Sequence, residues 1–115
     1  MRYRKLGNTG LDVSVIGLGA NNFGGRLDFD QTKLVLDQVL DEGINLIDTS
    51  NSYGNTLSEE YIGRALENRR DSVVLATKVS TRMAEGPNQA GNSRKHIIDQ
   101  VEKSLSRLRT DYIDL

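Results

Sequence analysis

Three side chains that can handle a proton stand at or near the ends of two predicted strands. Asp48 follows the apolar run Ile44–Ile47, Tyr53 comes five residues later, and Lys78 stands just beyond the run Val73–Ala76. A tyrosine hydroxyl with its ordinary pKa of about 10 is a poor acid at neutral pH. A neighbouring ammonium lowers that pKa because it stabilises the tyrosinate. Lys78 could supply the ammonium, and Asp48 could hold Lys78 in place through an ion pair.

Each of these residues also has an ordinary interpretation when it is taken alone. Asp48 could end a strand and cap a turn, Tyr53 could be a half-buried loop aromatic, and Lys78 could be a solvated strand end. Their combination favours function, because the carboxyl ends of consecutive parallel strands meet at one edge of a sheet, where such sheets bind ligands. We therefore expect Asp48 and Lys78 at one rim, with Tyr53 on the loop above it.

The composition is that of an ordinary globular protein and excludes several classes of site. The 115 residues are 37% hydrophobic and 27% charged, with a net charge of -1. This balance gives no electrostatic reason to expect nucleic acid or an anionic membrane as a partner. The absence of cysteine excludes disulfides, thiolate nucleophiles and zinc-finger spacings, and no metal site is predicted. No apolar run reaches signal-peptide or membrane-span length, so we expect a cytoplasmic location.

The sequence predicts an N-terminal β-hairpin and four further strands. Leu6–Gly10 is a turn between Arg2–Leu6 and Leu11–Val15, which predict an N-terminal β-hairpin. Val15–Gly19 predicts a short buried strand. The second and third strands are Ile44–Asp48 and Val73–Ala76, and Tyr112–Leu115 begins a fourth.

Capping signals and apolar stripes predict three helices between these strands. Asp28 and Gln31 have capping-box spacing before the first helix, and Gly43 ends it. Ser58 is the predicted N-cap of the second helix and Ser93 that of the third. The apolar residues at helical spacing are Val35, Leu36, Val39 and Leu40, then Ile62 and Leu66, and finally Ile98, Val101, Leu105 and Leu108.

The predicted order is a hairpin followed by β-α-β-α-β-α-β. Strands that alternate with amphipathic helices indicate parallel strands joined by right-handed crossovers. Three and a half βα units cannot close an eight-stranded barrel, which takes about 250 residues. The chain is therefore either part of a barrel or an open sheet. The loop Val79–Asn92 is long, and such loops are often functional.

Gly17 and Gly19 follow a predicted strand and invite comparison with a dinucleotide-binding fingerprint. That motif requires a third glycine at position 22, where the chain has Asn22. A helix must also begin at once so that a pyrophosphate can lie on its N-terminus, and none is predicted there. The sequence therefore argues against a Rossmann site.

Four ordered blocks of sequence resemble the aldo-keto reductases. Gly43–Gly54 with Ser58-Glu59 resembles the family signature, in which an aspartate ends strand two and a tyrosine follows. Val73–Lys78 resembles strand three with its lysine, and Leu6–Ser14 resembles the hairpin that plugs the barrel bottom. Ser93–Leu115 resembles the third helix and fourth strand. The resemblance implies a parallel (β/α)8 TIM barrel, of which residues 1–115 form the N-terminal part of a single domain with three to four βα units.

The resemblance also implies a reaction and a cofactor. The family reduces aldehydes and ketones with a nicotinamide cofactor, usually NADPH, with NADH as the alternative. By residue-to-residue match, Tyr53 would supply the proton, assisted by Lys78 and Asp48. Ala20, Asn21 and Asp48 would contact the cofactor, although the family often has threonine where Ala20 stands.

His96 is the only histidine. The family's catalytic histidine ends strand four and would come just beyond Leu115, so the resemblance gives His96 no catalytic role. We expect it on the surface of the third helix, where Arg94 and Lys95 form a solvated basic patch. Phe23 and the Ser80–Asn92 loop are the local candidates for contact with a small carbonyl substrate.

Other functions and partners are left open by the sequence. The family's later strands and loops hold most of its cofactor site, so we expect that the 115-residue chain does not bind NADPH tightly or turn over alone. The alternative is a non-catalytic nucleotide-binding or regulatory member resembling potassium-channel β subunits, or an inactive barrel fragment. An uncovered last strand invites pairing with another chain, so self-association through the open edge is expected if the chain is truly this short.

Overall fold

The chain folds into two small sheets and three α-helices, described over residues 1–115 by a computed structural model. The strands are β1 (Tyr3–Lys5), β2 (Asp12–Ser14), β3 (Leu18–Gly19), β4 (Leu46–Asp48) and β5 (Val74–Ala76). The helices are α1 (Phe29–Asp41), α2 (Leu57–Leu66), a 3₁₀ helix (Glu67–Ser72) and α3 (Arg94–Leu108). The predicted alternation of strand and helix after the hairpin is confirmed as far as the third helix.

β3, β4 and β5 form one parallel sheet, with β4 in the middle. Leu18 lies opposite Ile47, and Ile47 lies opposite Leu75. All of β5 is buried, as expected of a parallel strand that is covered on both faces. This arrangement brings the carboxyl ends of the three strands to one rim.

The hairpin of β1 and β2 is attached to the opposite end of that sheet. Tyr3 pairs with Ser14 in an antiparallel register. Asn45, directly before β4, accepts a hydrogen bond from the Ser14 amide at 2.7 Å and donates to the Asp12 carbonyl at 2.9 Å. The hairpin therefore closes the amino end of the sheet and leaves the carboxyl rim free.

α1 begins and ends as its sequence predicts. Asp28 accepts from the Gln31 amide at 2.9 Å and Gln31 accepts from the Asp28 amide at 3.1 Å, which completes a capping box. Gly43 adopts the left-handed backbone, with φ +78°, just after the helix. Leu36 is the fully buried member of the predicted apolar stripe.

The predicted N-cap of α2 is wrong. The helix begins at Leu57 after Thr56, whose side chain makes no capping hydrogen bond. Ser58 lies inside the first turn and is fully buried, so its hydroxyl bonds to neighbouring strands instead. A serine before an apolar stripe predicts a helix start, but the pattern alone does not reveal such competing partners.

The core fills the space between the sheet and the three helices. Full burial of a Leu or Ile side chain contributes about 1.5–3 kcal/mol, so this cluster supplies much of the driving force for folding. Its members are Ala20, Phe23, Leu36, Ile47, Ile62, Ala65, Leu66, Val73, Leu75 and Leu108.

The buried face of α3 differs from its predicted apolar stripe. Leu108 is buried as predicted, but Ile98 and Val101 are exposed. The other buried residues of the helix are polar: His96, Gln100 and Ser104. Gln100 and Ser104 have hydrogen-bond partners inside the fold, and these bonds offset the cost of removing their polar groups from water.

Tyr112–Leu115 does not form the predicted fourth strand in full. The segment runs beside β5, where Asp114 donates its amide to Leu75 at 3.1 Å and accepts the Leu75 amide on its carboxylate at 2.8 Å. Arg70 holds the same carboxylate at 2.8 Å. The Asp114 carboxylate thus takes the place of a backbone carbonyl as the acceptor of the Leu75 amide, and no regular strand is formed there.

Candidate active site

Lys78 and Asp48 meet at the carboxyl rim. The Lys78 Nζ donates to Asp48 Oδ1 at 2.6 Å and to the Thr49 carbonyl at 2.8 Å. Asp48 ends β4 opposite Ala76 of β5, so Lys78 lies two residues beyond the paired strand end. Both side chains are close to half exposed, 45% for Lys78 and 48% for Asp48. The predicted ion pair is therefore formed, and it remains accessible to a bound molecule.

Tyr53 lies next to this ion pair. The Lys78 Nζ is 5.2 Å from the centroid of the Tyr53 ring, within the range of a cation–π interaction. The ring is half-buried. The structure thus brings the three predicted acid–base residues together, with the ammonium in contact with the carboxylate and close to the aromatic ring.

The loop that carries Tyr53 is held by a tight crossing of two glycines. Gly54 has φ +59°, and a Cβ there would lie 2.4 Å from the Phe23 carbonyl oxygen. Gly24 faces the same crossing, since its Cβ would lie 2.3 Å from that of Leu57. Both positions exclude any side chain, so only glycine lets the two loop backbones come this close beside Tyr53.

The predicted cofactor residues lie at the same rim. The Ala20 amide donates to the Asp48 carbonyl at 2.9 Å, which continues the pairing of β3 with β4. Ala20 has no exposed surface, whereas Asn21 is exposed directly beside it. An open carboxamide on Asn21 and the accessible carboxylate of Asp48 are thus the groups free to meet a ligand, and the roles of Ala20 and Asn21 stay predictions.

A buried polar network below the rim was not foreseen as part of the site. Ser58 Oγ donates to the Ala20 carbonyl at 3.0 Å and receives the Thr49 hydroxyl at 2.8 Å. Glu59 accepts from the Thr77 hydroxyl and from Arg107 Nε, each at 2.6 Å. The sequence indicated this network only through the Ser58-Glu59 pair at a helix start, and Ser58 was interpreted there as a helix cap.

His96 is buried, so its predicted surface position is wrong. It has no exposed surface, and its Nδ1 lies 3.1 Å from the Asn88 carbonyl oxygen. Its Nε2 has no hydrogen-bond partner in the structure. The position in the first turn of α3 was foreseen, but the loop before the helix folds back over the ring. Arg94 and Lys95 are exposed, as predicted.

The two local candidates for substrate contact differ. Phe23 is 2% exposed and belongs to the core, so its predicted role in contacting substrate is wrong. The loop after Lys78 lies largely on the surface and is closed by two backbone bonds, from Gly91 to Ser80 at 2.8 Å and from Met83 to Gln89 at 2.9 Å. This loop stays a predicted substrate contact.

The structure offers neither a membrane-spanning helix nor a metal-binding cluster. No helix has the length and apolar character needed to cross a membrane. No group of three or more histidine, aspartate or glutamate side chains is arranged to hold a metal ion.

Comparisons with known proteins agree with this geometry. Residues 15–115 match the model of the Aldo/keto reductase family. The whole chain is 41% identical to the "Uncharacterized oxidoreductase YqkF" of Bacillus subtilis (strain 168), of which it covers 38%. It is 40% identical to a "Probable voltage-gated potassium channel subunit beta" of Arabidopsis thaliana, of which it covers 36%.

A solved structure is also similar. The aldo-keto reductase AKR11C1 from Bacillus halodurans, in its holo form, superposes with a TM-score of 0.87 at 39% identity. The match covers 98% of this chain and 38% of that chain. The predicted fold class, the first βα units of a parallel (β/α)8 barrel with an N-terminal hairpin, is confirmed. The chain spans less than two fifths of the length of these relatives.

Proposed function

The chain belongs to the aldo/keto reductase family, and we propose that it supplies the proton-transfer group of an NADPH-dependent reduction of aldehydes or ketones to alcohols. Tyr53 would donate the proton to the carbonyl oxygen as negative charge develops on it. Lys78 would favour loss of that proton, and Asp48 would hold Lys78. We further propose a small carbonyl compound as substrate and the cytoplasm as the location.

One observation carries this proposal: the Lys78 ammonium bonds to the Asp48 carboxylate at 2.6 Å and lies 5.2 Å from the centroid of the Tyr53 ring. An ammonium beside a phenol stabilises the phenolate, so the proton becomes easier to transfer. The ion pair with Asp48, at 2.6 Å, fixes the position of the lysine ammonium. General acid–base assistance of this kind contributes roughly 10²–10⁴-fold to a rate.

The exposed groups at the rim fit a nicotinamide cofactor. A bound cofactor would supply the hydride. The Asn21 carboxamide can donate and accept hydrogen bonds, and the Asp48 carboxylate can accept them. Asn21 lies just beyond β3 and Asp48 ends β4, and the carboxyl ends of these strands lie side by side, where a barrel binds its ligand. NADPH is proposed over NADH because the family usually takes NADPH.

A second function is favoured by one of the relatives. The potassium-channel subunit relative is as similar to this chain as the oxidoreductase relative. A non-catalytic, nucleotide-binding or regulatory role would keep the cofactor groups without needing Tyr53 as an acid. Turnover that depends on Lys78 would favour the reductase over this alternative.

The proposed reductase activity can be tested by joining this chain to the remaining part of a related barrel. A chimaera in which the chain replaces the matching segment of the Bacillus halodurans reductase is assayed for NADPH oxidation with a simple aldehyde, beside the chain alone. We expect the chimaera to turn over and the chain alone to be inactive, because the chain covers 38% of that relative.

Two lysine variants show whether the rim carries that activity. Lys78→Met in the chimaera should lower kcat by about 10²-fold or more. Lys103→Met is the matched control, because Lys103 forms a similarly exposed ion pair with Asp99 at 2.8 Å on α3. A folded chimaera in which both variants retain full activity would contradict the proposed function.

A further inference from the structure

We propose that Ser58 and Glu59 are positioning residues that fix the carboxyl ends of all three parallel strands against one another. They occupy the first turn of α2, and both are fully buried. The consequence of these contacts, that they hold the Lys78–Asp48 ion pair in position for catalysis, rests on the proposed function. We call this set of contacts, from Ser58 and Glu59 to the three strand ends, the clamp, and the clamp itself is a property of the fold.

Ser58 joins the ends of β3 and β4. Its hydroxyl has one proton, which it donates to the Ala20 carbonyl at 3.0 Å. The contact with Thr49 at 2.8 Å must therefore be donated by the Thr49 hydroxyl. One serine thus connects the residue after β3 with the residue after Asp48.

Glu59 joins the end of β5 to the same turn. Its Oε1 accepts the hydroxyl proton of Thr77, the residue directly before Lys78, at 2.6 Å. A buried carboxylate is costly unless it is paired and hydrogen-bonded. Arg107 supplies the charge through Nε at 2.6 Å on Oε2, and it is itself only 16% exposed.

The approach of α3 to α2 makes this charge compensation feasible. Gly63 lies one turn after Glu59, and a Cβ there would be 2.5 Å from the Arg107 carbonyl oxygen. Only glycine lets the two backbones come so close. The contact holds Arg107 beside Glu59, so the clamp involves α2, α3 and the three strand ends.

The test uses amide hydrogen exchange in the chain itself. Thr77→Val removes the hydroxyl that Glu59 accepts and leaves the Glu59–Arg107 pair in place. The reporters at the rim are the Thr49 amide, bonded to the Ala76 carbonyl, and the Asn51 amide, bonded to the Lys78 carbonyl. The reporter at the opposite end of β5 is the Val74 amide, bonded to the Asn45 carbonyl.

A clamp predicts a local effect. In Thr77→Val, exchange of the Thr49 and Asn51 amides should accelerate roughly ten-fold while that of Val74 stays unchanged, because only the rim opens. Thr77→Ser should restore the original rates because it keeps the hydroxyl. Equal acceleration at both ends, or no acceleration at the rim, would overturn the proposal.

Thr32→Val is the matched control. Thr32 is fully buried, and its hydroxyl has no hydrogen-bond partner, so the substitution removes a hydroxyl without removing a contact. We expect unchanged exchange at the rim. Because exchange does not require turnover, a clamp confirmed by exchange in the chain, together with a folded but inactive chimaera, would count against the proposed function alone. An active chimaera in which Thr77→Val leaves both rim exchange and kcat unchanged would count against the clamp alone.

Discussion

At the level of single residues, the rim combines accessible chemistry with a rigid support. Asp48 and Lys78 are nearly half exposed, whereas the polar residues that lie behind them are buried. An ion pair this exposed adds little to stability, typically about 0–1 kcal/mol. Its closeness to Tyr53 is therefore better explained by chemistry than by folding.

Gly54 offers a test of how tightly the Tyr53 loop is held. Gly54→Ala would place a Cβ 2.4 Å from the Phe23 carbonyl at φ +59°. We expect a loss of about 1–3 kcal/mol in the free energy of unfolding, from overpacking and a left-handed backbone. Gly7→Ala separates the two causes, since Gly7 has φ +54° and nothing within 4 Å.

Urea denaturation measures both glycine variants. Gly7→Ala should cost only the backbone strain and so destabilise the chain less than Gly54→Ala does. Equal losses in the two variants would mean that the loop crossing beside Tyr53 yields easily.

The candidate ion pair was predictable from the sequence because both of its members stand at strand ends. Asp48 and Lys78 could be placed at one rim from the parallel topology alone, and the structure brings them together at 2.6 Å. Ser58 and His96 were misplaced for a different reason. Their positions depend on partners distant in the sequence, Ala20 for Ser58, or on a loop that folds back, at Asn88 for His96.

At the level of elements, local capping signals predicted two of the three helix starts, whereas the inward face of α3 was not predicted. The capping box of α1 and the cap of α3 depend on local spacing and are confirmed. The face of α3 that packs inward is largely polar, with Gln100 and Ser104 hydrogen-bonded, so the apolar spacing of the helix pointed to the wrong side. Ile98 and Val101 remain exposed in consequence.

Asp37 links Lys33 of its own helix α1 to Arg69 of the 3₁₀ helix, and this link should make stability depend on acid. Hydrogen bonds from Lys33 and then from Arg69 hold the pKa of Asp37 below its ordinary value of 3.8. Because the folded pKa is lowered, the link stabilises the chain above pH 3.8 and is lost as the pH falls through the folded pKa. We expect Asp37→Asn to be less stable than the wild type at neutral pH.

Urea denaturation at a series of pH values checks this dependence. The difference between wild type and Asp37→Asn should stay constant above about pH 5 and shrink below pH 3.8. Asp41→Asn, at an exposed position of the same helix, should show no such difference. A difference for Asp37→Asn that persists unchanged at strongly acidic pH would rule out the link.

At the level of the whole molecule, an apolar groove runs between the carboxyl rim and α3. It has a volume of about 450 Å³, and its apolar lining includes Val79, Val101, Leu105, Ile113 and Leu115. Grooves of this kind attract other apolar surfaces. We propose that the chain, when studied by itself, self-associates through this side.

Sedimentation of the chain at several concentrations tests that proposal. Val101→Lys should shift the distribution toward monomer, because it places a charge on an exposed apolar position of the groove. Leu34→Lys is the control, since Leu34 is 70% exposed on α1 and lies outside the groove. A wild-type chain that sediments as a compact monomer at all concentrations would contradict self-association.

The most direct measurement of the central claim is kcat for the Tyr53→Phe variant of the chimaera, beside Tyr61→Phe. Tyr61 is also half-buried, and its ring packs against Phe29 at 5.7 Å, away from Lys78. If Tyr53 donates the proton, Tyr53→Phe should lower kcat by about 10²–10⁴-fold with KM little changed, and Tyr61→Phe should retain its rate. A Tyr53→Phe protein that binds NADPH and reduces aldehydes at the wild-type rate would contradict the assignment.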